Sequence, residues 1–147
     1  GVCDMNKALI DELIGKLVEE CGTRDPFKIA RQKNIIVLEE PLKEIKGYYN
    51  KIKRIQMIHI NEDLNYFERI FVCAHELGHA LLHPNDKTNK LSTYSTVSTL
   101  KKEGEANYFA TNLIVDGTIA WEIENPTNEQ IMNFYGIPRE MERFINR

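Results

Sequence analysis

Residues 70–83 read Ile-Phe-Val-Cys-Ala-His-Glu-Leu-Gly-His-Ala-Leu-Leu-His. Wound as a helix, this stretch is apolar nearly all round, which marks a central, buried element. Two imidazoles and a carboxylate in such a helix would be costly without a partner. His75 and His79 are four residues apart, so their rings share a face. That is the geometry for two nitrogens on one zinc ion. Glu76 points toward the same site but off the metal axis, the position of a general base that takes a proton from water during metal-assisted hydrolysis. His83 lies four residues further on. Three successive turns of one straight helix do not easily wrap one tetrahedral ion. His83 therefore reads as a helix-end residue near the C-terminal dipole, free to hydrogen-bond a substrate or transition state.

A catalytic zinc site needs a third protein ligand and an open position. The better source is the downstream stretch Glu103-Gly104-Glu105-Ala106-Asn107, at the start of a second helix. Glu103 and Asn107 are four apart and share a face, which suits a carboxylate ligand with a polar residue steadying a ligand histidine. Glu105 falls on a different face and reads as solvated, and it is the alternative third ligand.

Outward from this pair of helices the chain divides as follows. Residues 6–34 carry two helices: 6–21, with apolar residues at helical spacing and stopped by Gly22, and a short one capped by Asp25 with Pro26 at its first position. Residues 35–60 hold three short strands (35–38, 47–50 and 55–60), expected to form a small antiparallel sheet with a tight basic turn at 51–54. The His-Glu helix spans 63–83, capped by Asn61 or Asp63 and ended by Pro84. A polar loop follows at 84–99, then the Glu103 helix at 100–116. A tail at 117–147 carries two short helices around Gly136-Ile137-Pro138. The expectation is one α+β domain, its small sheet packed on the central helix, with further N- and C-terminal helices.

The segments AHELGHALLH and EGEANYFATNLIV, separated by a polar loop, resemble the ImmA/IrrE family of small zinc metallopeptidases, and a strand ending IHIN also fits. The resemblance covers residues 29–116. It implies a minimal zincin-like core and a gluzincin-like site with His75, His79 and Glu103 as ligands of one zinc ion per chain, and Glu76 as catalytic base. It also implies a protein substrate, a helix-turn-helix repressor, whose cleavage switches on mobile-element or stress genes. Two departures stand out: Val115-Asp116-Gly117 replaces the proline that often follows the third-ligand helix, and a lone catalytic module without a separate repressor-like domain is expected.

Composition fits this reading. The 147 residues suit one domain, and a formal charge of −3 argues against binding nucleic acid through bulk positive charge. No apolar run is long enough to span a bilayer, and no signal pattern opens the chain, which points to the cytoplasm. Cys3, Cys21 and Cys73 are too scattered for a disulfide framework or a zinc knuckle. The tail resembles half of a helix-turn-helix unit, but its balanced charges favour packing through Ile131, Phe134, Ile137, Met141 and Phe144. Lys43, Lys46, Lys51, Lys53 and Arg54 read as a solvated, edge-protecting basic hairpin. Tyr48, Tyr49, Tyr108 and, in the polar loop, Tyr94 are candidates to stabilise an oxyanion, and the strand at 55–60 is a candidate edge for an extended substrate. The rival reading keeps the zinc fold without proteolysis: a regulator, or a component of a toxin module, that binds a repressor.

Overall fold

The computed structural model describes residues 6–86 and 97–146. Helix α1 (Lys7–Cys21) starts where the Asn6 side chain accepts from the Leu9 amide and ends at Gly22, whose φ of 69° is the left-handed stop expected there. It buries one stripe, Ile10, Ile14 and Leu17. Helix α2 (Pro26–Gln32) is capped by Asp25, which accepts from the Phe27 amide.

Three strands follow: β1 (Ile36–Glu40), β2 (Gly47–Ile52) and β3 (Ile55–Asn61). Strands β2 and β3 pair antiparallel, with Ile52 opposite Ile55 across Lys53 and Arg54. Strand β1 pairs with β3 in parallel, so the sheet is mixed, in the order β1-β3-β2. The expected antiparallel sheet holds only for the hairpin. The chain reverses at each connection, so β1 and β3 run the same way, and β1 docks on the far edge of β3 rather than on β2. This corrects a second expectation. Residues 55–60 form the central strand, whose backbone is paired on both sides, so a substrate cannot add there; β1 and β2 are the outer strands of the sheet among the described residues.

One sheet face, with Tyr49, Ile58 and Ile60 fully buried, packs into the core with the helices. Gly47 marks the tightest approach. A Cβ there would meet Val72 Cγ1 at 2.6 Å and the His59 carbonyl oxygen at 2.7 Å. Gly47→Ala is therefore expected to destabilise by about 2 kcal/mol and lower Tm by about 4–8 °C, read by thermal unfolding.

The central helix α3 (Tyr66–Leu82) begins later than expected. Asn65 and Glu68 form a reciprocal capping box. Asn61 serves elsewhere: its side chain donates to the carbonyls of Lys43 and Ile45 and accepts from the Asp63 amide, tying down the loop between β1 and β2. The far end of α3 is held to the sheet, where Gln56 donates to the Ala80 carbonyl and Tyr49 to the Pro84 carbonyl. Helix α4 (Val97–Ile114) lies against α3. Gly78 lets the pair close: a Cβ there would lie 3.0 Å from Phe109 Cδ1 and 3.2 Å from Ala106 Cα.

A short 3-10 turn, Thr118–Trp121, follows α4 and was not anticipated. Asp116 organises it, accepting from the Thr118 amide and hydroxyl and from the Tyr135 hydroxyl. Burial pushes the Asp116 carboxyl up, but these hydrogen bonds and Arg24 hold it below the ordinary value. Its stabilisation is present above the unfolded pKa and lost as pH falls through the depressed folded value. Asp116→Asn is therefore expected to lower stability by about 1 kcal/mol at neutral pH, on the scale of an exposed cap. The gap to the parent should close in acid, below about pH 4, as followed by urea unfolding across pH.

The tail forms α5 (Asn128–Tyr135) and a 3-10 helix at Arg139–Phe144. Ile131, Ile137 and Phe144 are buried and Met141 packs on the core as expected, whereas Phe134 is exposed. Asn112 on α4 ties the tail down by donating to the Phe144 carbonyl. No helix among the described residues is long and apolar enough to cross a membrane.

Candidate metal centre

Helix α3 presents His75 and His79 from successive turns, and α4 brings Glu103 across to meet them. Glu103 Oε2 lies 3.1 Å from His75 Nε2, and Oε1 lies 3.0 Å from His79 Nε2. The three side chains offer one ligand atom each, all within 4.8 Å of one another. His79 is buried and His75 nearly so, while the Glu103 side chain is 43% exposed, which leaves the carboxylate side open to solvent.

The donor set fits a metal ion. His79 Nε2 is buried without a hydrogen bond, although a Glu103 oxygen lies 3.0 Å away. Buried polar atoms of this kind call for an explanation, and an ion held by the three-residue cluster would supply one. Two imidazoles and one carboxylate, with a side left open, form the donor set of a catalytic rather than a closed structural site.

The electrostatics reflect the same crowding. Burial pushes the His75 imidazole down, but the Glu103 hydrogen bond, the charges of Glu76 and Glu103, and Asn107 together hold it above its ordinary value. Burial pushes the Glu103 carboxyl up, yet the two histidines hold it well below the usual carboxylate range. Glu76 is buried on α3, one residue beyond His75 and close enough for its charge to act on that ring.

Of the remaining candidates, Asn107 stands one turn after Glu103 and interacts with His75. Tyr94 lies outside the described residues. His83 stands at the helix end as expected, whereas Glu105 departs from expectation. Glu105 is not solvated: its carboxylate Oε1 lies 3.0 Å from His83 Nε2, and its side chain is 16% exposed. His83 caps α3 and turns its other nitrogen, Nδ1, toward His79 Nδ1 at 3.4 Å. Burial holds the His83 imidazole below its ordinary value. Sequence spacing missed this pairing, although His75, His79 and His83 at four-residue intervals were the signal that could have suggested it.

A small α+β core with two histidines on a central helix and a glutamate from the next could hold one metal ion, with the donor set that metallopeptidases use. The sequence matches the IrrE N-terminal-like domain family over residues 30–144. It is 31% identical over 135 residues to the metallopeptidase ImmA of Bacillus subtilis, covering 88% of this chain and 79% of that protein. It is 38% identical over 136 residues to the uncharacterized immunity region protein 2 of Bacillus phage phi105, covering 90% and 86% respectively. The chain belongs to the ImmA/IrrE family of metallopeptidases.

Proposed function

We propose that this protein is a zinc-dependent, site-specific endopeptidase. Its target is proposed to be a helix-turn-helix transcriptional repressor, cleaved in the cytoplasm to derepress mobile-element or stress genes. The observation that carries the proposal is the meeting of His75, His79 and Glu103 around the unspent Nε2 of His79, with Glu76 alongside. The name of the phage relative, an immunity region protein, supports the mobile-element setting.

His75, His79 and Glu103 would hold the ion. Bound there, zinc supplies Lewis acidity, acidifying water and polarising the scissile carbonyl. Glu76 accepts the proton of the attacking water on its carboxylate and returns it to the leaving amine. Burial of Glu76 excludes competing solvent and strengthens its action on charge in the site. Asn107 steadies His75, and the open side at Glu103 admits the peptide.

The test mixes the zinc-loaded protein with the repressor encoded beside its gene and follows intact mass. One discrete cut in the repressor, with casein left whole, is expected. Broad casein cleavage at low enzyme concentration would overturn the proposed specificity, and an uncut repressor would remove the proposed substrate.

A further inference from the structure

The two histidines on α3 are not supported alike. His75 Nδ1 is buried without a hydrogen bond, whereas His79 Nδ1 faces His83 Nδ1 at 3.4 Å. His83 in turn places Nε2 at 3.0 Å from Glu105 Oε1. A carboxylate can only accept. The proton between His83 and Glu105 therefore sits on His83 Nε2, and a neutral His83 presents Nδ1 as an acceptor. The hydrogen bond between the rings then requires the His79 proton on Nδ1, which leaves His79 Nε2 as a bare lone pair. That is the atom beside Glu103 that lacks a hydrogen bond.

We propose that His83 and Glu105 are positioning residues: a Glu105–His83–His79 chain fixes the tautomer and ring orientation of His79 so that its Nε2 is presented for metal. The inference rests on the metal-centre reading above and adds a relay to it. A ligand histidine usually hands its second nitrogen's proton to a carboxylate or carbonyl, and such outer partners tune metal affinity. Here the carboxylate acts one ring further away. The relay also spans the helix pair, since His83 closes α3 and Glu105 belongs to α4. The chain's remaining supports hold His83 in place: Tyr49 donates to the Pro84 carbonyl at 2.5 Å, and Asp86 donates its amide to the His83 carbonyl at 3.1 Å.

The test is a chelator competition for zinc with the full chain, comparing the parent with His83→Phe, His83→Gln and Glu105→Ala. Phe fills the space but cannot accept from His79. Gln offers a carbonyl to His79 and an amide N–H to Glu105. The expected result is a zinc affinity about 10–100-fold weaker for His83→Phe and Glu105→Ala, with His83→Gln largely restored. A second readout on the metal-free protein is nitrogen-15 NMR of the histidine rings. The parent should show His79 protonated at Nδ1, with that preference lost in His83→Phe and kept in His83→Gln. Parent-like affinity in both His83→Phe and Glu105→Ala would overturn the relay, as would equal weakening by Phe and Gln with the His79 tautomer unchanged. A parent protein that takes no zinc would instead overturn the metal-centre reading and the relay with it. Should His83→Phe fail to fold, Glu105→Ala and the parent tautomer decide the question.

Discussion

Glu76→Gln is expected to lower the rate of repressor cleavage by about 10²–10⁴-fold while the protein keeps one zinc per chain. The substitution keeps the size of the side chain and removes its capacity to accept a proton. Glu76 is buried one residue beyond His75, on the helix that carries both histidines, so its carboxylate is held by a rigid element. Glu103 supplies the carboxylate between the two imidazoles, and the metal set should therefore survive the change. Single-turnover cleavage with metal content measured in parallel separates the two effects. Loss of zinc together with activity would place Glu76 in metal binding instead, and an unimpaired cleavage rate would remove Glu76 as the base; a variant that kept its full effect on the repressor's genes without cutting the repressor would return the reading to a regulator that acts by binding.

The second large effect is expected at Glu103. Glu103→Ala removes one of three converging donors and the counter-charge of both histidines. Zinc affinity should fall by more than the roughly 10–100-fold that loss of an outer partner causes. Glu105→Ala is expected to stay within that smaller range, because Glu105 meets His83 rather than the cluster. Equilibrium competition against a chelator gives both numbers under one condition. The reverse order, with Glu105→Ala the more damaging, would exchange the roles of the two glutamates.

The central helix was legible because its apolar residues run all round and its histidines recur at the helical period. Gly22, Asp25 and Pro26 announced their helix ends through local backbone chemistry, which needs no tertiary information. The start of α3 was harder. Asn61, Asp63 and Asn65 are all capable caps, and the outcome was decided by the loop carbonyls that captured Asn61. The parallel β1–β3 pairing depends on which edge of the hairpin β1 meets, and five-residue strands carry no signal for that. Likewise, spacing placed Glu103 and Asn107 on one face of α4 but could not say how α4 is rotated against α3. The close approach at Gly78 and Ala106 helps to set that rotation, and it turns Glu105 toward His83 rather than to solvent.

The most direct measurement is a crystal structure of the zinc-loaded protein with anomalous data collected at the zinc edge. A single anomalous peak per chain, bonded to His75 Nε2, His79 Nε2 and a Glu103 carboxylate oxygen with the remaining position open, is predicted. A peak held by other residues, or a fourth protein side chain closing the site, would contradict a catalytic zinc centre on these helices.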